Sequence, residues 1–158
     1  MSHPVVRLVD YPLTQCNLCS QTQLAFQAIL SAVEKAGLAV QQSLASAGLD
    51  GGFGHSGSEN VQGEKQHSLD VFANAQFREV LSQCSVVGAM ASEEDEDMTR
   101  FDLGEENAGR FLVALDPVDG SSNIDANIPV GTIFSVIRRE DANQGPVDRE
   151  EFFGDGRS

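Results

Sequence analysis

Basic residues are scarce in this chain. Ten Lys and Arg face 24 Asp and Glu, leaving a formal net charge of −14 and a pI near 4.3. So large an acidic excess argues against a nucleic-acid backbone or an anionic membrane as partner, because both are polyanions. Long apolar runs are missing as well. No stretch approaches the ~20 residues of a membrane-crossing helix. The opening Met1-Ser2-His3-Pro4-Val5-Val6-Arg7 lacks the charged front and apolar middle of a secretory signal, and it is not Arg-rich enough for a transit peptide. Cysteine is limited to Cys16, Cys19 and Cys84. The Cys16-x-x-Cys19 spacing suits zinc or redox chemistry, but no second pair completes four ligands, so these read as reduced thiols of an intracellular protein. A cytoplasmic location is the expectation, with the chloroplast as alternative. Gly48 to Ser58 holds five glycines without a following Gly-Lys-Ser/Thr, which makes it a loop and excludes a P-loop. No Ser-His-Asp arrangement is apparent around His3, His55 or His67, so a covalent mechanism is not expected.

What the chain does have is concentrated in Phe111-Leu112-Val113-Ala114-Leu115-Asp116-Pro117-Val118-Asp119-Gly120-Ser121-Ser122-Asn123-Ile124-Asp125. Five apolar residues in a row suit a strand buried on both faces. Pro117 lacks an N–H, and the expectation is that it stops the ladder and leaves Asp116 at the strand's carboxyl end. Asp119 follows three residues later. Gly120 permits close approach of the backbone to a ligand, and Ser121, Ser122 or Asn123 can cap a following helix. Two hard oxygen ligands thus sit beside free backbone N–H groups, an arrangement able to hold a Mg²⁺-type cation against a phosphate. An ordinary acidic turn also uses Asp, Gly and Ser. The fixed offsets of Asp-Pro-x-Asp-Gly-Ser-Ser weigh against that plainer reading.

Elsewhere, Ile29, Val33, Ala36, Val40 and Leu44 recur at steps of three and four, which predicts one amphipathic helix over Gln23 to Ser46 with Gly37 as a tolerated weak point. A second helix is expected over Gln66 to Leu81, burying Leu69, Ala73, Phe77 and Val80 or Leu81. Ser85 to Ala91 reads as a short buried strand running into Glu93 and Glu94. The acidic run Glu93 to Asp97 would ordinarily be a solvated face. Its place at a strand's carboxyl end changes that, because open α/β sheets put their sites at such edges. Carboxylates gathered there repel one another by roughly 4 kcal/mol per pair at 4 Å in a dielectric near 20. Divalent cations reverse that sign, so the pattern points to bound metal before any side-chain base. Gly131 to Arg139 is a further strand, and from Glu140 to Ser158 no further element is evident.

Asp116 to Asp125, with Gly131-Thr132-Ile133-Phe134 beyond it, resembles the signature of class 1 fructose-1,6-bisphosphatases. Glu59-Asn60-Val61-Gln62-Gly63-Glu64 leading to Leu69-Asp70-Val71-Phe72-Ala73-Asn74, and Ala91-Ser92-Glu93-Glu94-Asp95-Glu96, resemble the same family in the expected order. With a looser match along the first helix, the resemblance runs from about residue 24 to about residue 153. It implies an α/β, layered fold: the N-terminal half of the sugar-phosphatase fold, two long helices packed on a mixed β-sheet. The expected division is an arm over 1–22, a metal-binding phosphatase domain over 23–139 and a polar linker over 140–158.

The activity implied by the resemblance is Mg²⁺-dependent hydrolysis (Mn²⁺ as a substitute) of the 1-phosphate of fructose 1,6-bisphosphate by activated water. Glu93, Asp116 and Asp119 become metal ligands, with the backbone carbonyl of Val118 and with Glu64 joining them. Glu94, hydrogen-bonded to Asp70, orients and deprotonates the water. Asp119 and the backbone N–H groups and hydroxyls of Gly120, Ser121 and Ser122 hold the phosphate. A homo-oligomer, a tetramer in the family, is the implied assembly, with no nucleic-acid or membrane partner. Sedoheptulose bisphosphatase, an inositol-type phosphatase, or a non-catalytic chain that binds metal and anions are the alternatives. Family members are about twice as long, and most contacts to the sugar lie in their second half.

Overall fold

The computed structural model describes residues 19–49, 59–103, 109–122, 129–139 and 145–153, excepting the side chains of 47–49 and 59–66. Within these the chain runs α1 (Ser20–Leu49), α2 (Glu59–Ser82), β1 (Val87–Ser92), β2 (Thr99–Arg100), β3 (Phe111–Asp119) and β4 (Gly131–Arg138), then a 3-10 helix (Arg149–Phe153). Both helices run beyond their apolar repeats, α1 at both ends and α2 at its N-terminal end. The stripes themselves lie where the spacing puts them: Ile29, Val33, Ala36 and Val40 on α1, and Leu69, Ala73, Phe77 and Leu81 on α2, are all buried. The glycine-rich loop falls almost wholly outside the described residues.

The sheet is mixed, in the order β2-β1-β3-β4. β1 and β3 are parallel, with Ser92 opposite Leu115, while β2 and β4 add antiparallel edges. Alternation along the strands gives the sheet two faces. Val87, Met90, Phe111, Val113 and Leu115 join both helical stripes in one core. α2 lies on β1 and β3, and α1 packs against α2. Ala89 and Leu112 look the other way and meet Val147, with Met98, Ile137 and Phe152 around them.

Two expectations change. Pro117 does not end β3: pairing with β4 resumes at Asp119–Gly131 after a register shift beyond Asp116–Ile133. A proline is tolerated at a bulge because the ladder there asks for no N–H. Thr132 Oγ1 donates to the Pro117 carbonyl at 2.9 Å, which replaces part of the interrupted ladder. The stretch after Arg139 also carries structure, namely the 3-10 helix and the buried Val147. Arg139, only 6% exposed, anchors it through Glu151 at 2.6 Å and through the Gly109 and Gly145 carbonyls. Arg100 Nε donates to the Val147 carbonyl at 2.7 Å. Where β1 begins, Gly88 and Gly109 pass so closely that a Cβ on Gly109 would lie 2.1 Å from the Gly88 nitrogen.

Candidate active site

Parallel pairing of β1 with β3 decides which carboxylates meet. One step beyond Ser92, the Glu93 N–H donates to the Leu115 carbonyl at 3.1 Å, so Glu93 leaves β1 alongside the end of β3. Its carboxyl lies within hydrogen-bond reach of Asp116, and that neighbour pushes Glu93 above the usual carboxylate range, with smaller pushes from burial, Asp119 and Asp70. Asp116 is held in turn: its Oδ1 accepts from the Val118 N–H at 3.1 Å. Val118 is buried and carries the backbone to exposed Asp119. Gly120 then turns with φ of 85°, a conformation that suits glycine, and delivers Ser121.

Asp70 arrives from α2. Ser121 Oγ donates to its Oδ2 at 3.4 Å, a long bond that nonetheless joins α2 to the turn after β3. Burial raises the Asp70 carboxyl, and nearby Asp116 adds to the effect. Glu94 is raised mainly by burial, then by Asp70, Glu93 and Asp116. Asp70 thus acts on Glu94 through its charge and accepts a hydrogen bond from Ser121. Ser122 is exposed beside them. Glu64 lies on α2, and its side chain falls outside the described residues. His67 is exposed on the same helix, while His3, His55 and Cys16 lie outside them. Cys19 and Cys84 are free thiols away from this edge.

The turn bearing Glu93 and Glu94 is pinned from α2. Asp95 accepts from Asn74 Nδ2 at 2.9 Å and from Arg78, whose terminal nitrogen reaches both carboxylate oxygens at 2.7 Å. The sequence reading assigned no role to Asp95 or Arg78. A signal was present, since Asp70, Asn74 and Arg78 recur every fourth residue, a polar row beside the apolar row of Leu69, Ala73 and Phe77. On the face of the sheet away from the helices, a groove of about 410 Å³ adjoins the edge. Ala91, Ala114 and Ser135 form its small-residue floor, Glu93 and Asp116 its acidic rim, and Ile133 and Phe134 its wall.

Among the described residues, no three His, Cys, Asp or Glu side chains are drawn close enough to hold an ion as they stand. The donor set nonetheless fits a hard cation. Every group is a carboxylate or backbone oxygen, and Glu93 and Glu94 are raised by the carboxylates around them in the way a divalent ion would reverse.

A two-helix layer on a mixed sheet, with two parallel strands delivering acidic residues to one edge, defines a layered α/β domain whose candidate site lies at that carboxyl edge. The family model described as "Fructose-1-6-bisphosphatase, N-terminal domain" matches residues 8–158, and the chain belongs to that family. It is similar to Leishmania major fructose-1,6-bisphosphatase in holo form, with a TM-score of 0.69 and 28% identity over 93% of this chain and 43% of that one. The apo form gives 0.63 and 28% identity over 86% and 37%. The T-state gives 0.61 and 28% identity over 87% and 39%. The chain thus spans less than half the length of these enzymes. No helix among the described residues is long and apolar enough to cross a membrane.

Proposed function

We propose that this chain carries the metal- and phosphate-binding half of a fructose-1,6-bisphosphatase that releases the 1-phosphate to leave fructose 6-phosphate. The observation that supports it most is the meeting of Glu93 with Asp116 where the parallel ladder of β1 and β3 ends. Mg²⁺, or Mn²⁺ in its place, would be held by Glu93, Asp116, Asp119 and the Val118 carbonyl, with Glu64 as an additional ligand. Bound there, such ions would supply an acidified water and charge neutralisation for the phosphoryl oxygens. Glu94, raised by burial and by Asp70, is suited to take the water's proton, because a base works best when its pKa approaches the working pH. Gly120, Ser121 and Ser122 would present N–H groups and hydroxyls to the phosphate, with Ser121 already oriented by Asp70. A cytoplasmic role in sugar-phosphate metabolism, and assembly into a homo-oligomer, complete this reading.

The alternative is a chain that binds metal and anions without turnover. Titration with Mn²⁺ and a phosphate-release assay on fructose 1,6-bisphosphate separate the two. Binding with release supports the enzyme, and binding without release supports the alternative. Sedoheptulose bisphosphate and inositol monophosphate in the same assay decide among the phosphatase specificities. Unchanged Mn²⁺ affinity in Asp116→Asn/Asp119→Asn would sink the metal assignment.

A further inference from the structure

We propose that Asn74 and Arg78 are positioning residues for the acidic edge: by gripping Asp95, they set the path of the turn that carries Glu93 and Glu94. The inference rests on the metal and phosphate reading of that edge.

The turn after β1 has little to hold it from within. Its own bonds are the Asp95 N–H to the Ser92 carbonyl at 3.2 Å and the Glu94 N–H to Ser92 Oγ at 3.3 Å. It also carries Glu93, Glu94, Asp95, Glu96 and Asp97 in succession, five carboxylates that repel one another. Asp95 is the member taken out of that repulsion. Arg78 reaches both of its oxygens, and Asn74 adds a third bond from a side chain that is 5% exposed. Charge-assisted bonds of this length are short and directional, so they fix where the turn runs as well as its charge.

Asn74 makes the point in a second way. Its Oδ1 is buried without a partner among the described residues, as is Arg78 Nε. Burying half-satisfied polar groups is unfavourable, and an apolar side chain would fill position 74 without that penalty. The bond to Asp95 is what a polar residue contributes there. The helix that supplies this grip also supplies Asp70 one turn earlier, and Asp70 meets Ser121 after β3. One rigid row on α2 therefore references both acidic turns to each other. Neither Asn74 nor Arg78 is assigned to substrate or metal. Their effect passes through Asp95 to the ligand Glu93 and the base Glu94.

The test is calorimetric titration of the chain with Mn²⁺ alone, together with amide hydrogen exchange, on Arg78→Met, Arg78→Lys, Asn74→Leu and Asp95→Asn. Loss of partners that orient a ligand typically lowers metal affinity about 10- to 100-fold, and a loss in that range is expected for Arg78→Met and Asp95→Asn. Arg78→Lys should recover part of it, because lysine restores the charge without the planar fork. Exchange should quicken at Glu93 to Asp95 while β1 and β3 stay protected, a pattern that general destabilisation would not give. Affinity within about twofold of the parent in Asp95→Asn and Arg78→Lys, alongside abolished binding in Glu93→Gln, would overturn the positioning role and leave the site reading intact. Unchanged binding in Glu93→Gln itself would remove both.

Discussion

Arg139 shows how much one residue can organise when it is buried with its charge. Its guanidinium meets Glu151 and two backbone carbonyls, and so ties the segment after β4 back onto the start of β3. The bonds to Arg139 hold the Glu151 carboxyl below the usual carboxylate range. A depressed carboxylate contributes stability above its unfolded pKa and loses it as pH falls through the folded value. Glu151→Gln leaves the guanidinium buried without its counter-charge and should cost about 3 kcal/mol near neutral pH. The gap between the two proteins should narrow progressively as the pH falls from the ordinary carboxylate range of the unfolded chain, about 4.3, toward the lower value in the folded protein. Urea titrations of both proteins at pH 7 and pH 3 measure this. A gap that persists undiminished at pH 3 would show that the ion pair is not its source.

The two helices separate local propensity from packing. Gly37 lies in α1 with nothing within 4 Å of where a Cβ would stand, so Gly37→Ala should stabilise the chain by about 0.5–1 kcal/mol through helix propensity alone. Phe77 on α2 is fully buried between α1 and the sheet. Phe77→Ala should cost about 3–5 kcal/mol, because it removes buried apolar area and leaves a cavity that cannot wholly collapse. Thermal melts of the two variants, read against the parent, check both signs. The helical stripes were legible in the sequence because they repeat every three or four residues. The two-residue β2 was not, since its strand state comes from pairing with Ala89 and Met90 and from no pattern of its own. The strand through Pro117 was equally hidden, because its bulge is created by β4 across the ladder.

At the scale of the whole molecule, the described sheet ends in an open edge. β4 pairs with β3 on one side alone, and its Ile133 is 60% exposed beside the groove of Ala114 and Ser135. An unpaired strand edge next to apolar surface favours strand addition and association. The 158-residue chain on its own should therefore self-associate, and Ile133→Lys should shift it toward monomer. Sedimentation velocity over a range of concentrations measures both. A parent chain that stays monomeric throughout would show that the edge is protected by residues outside those described.

The sequence by itself determined the pieces with a local cause: two amphipathic helices, three of the strands, and acidic residues at or near the carboxyl ends of two of them. Order and spacing of these short blocks also carried the family, because a motif such as Asp116-Pro117-Val118-Asp119-Gly120-Ser121 is contiguous. Tertiary structure alone decided which acidic groups became neighbours. Glu93 feels Asp116 only because β1 and β3 run parallel in this register. Asp95 is gripped by Asn74 and Arg78 from 21 and 17 residues away in sequence, a distance no periodicity spans. Val147 likewise sits in a polar stretch that reads as linker, and it is buried because it packs on the second face of the sheet against Ala89 and Leu112. Local patterns report what a segment can become, whereas burial and charge coupling depend on which distant segment lies across from it.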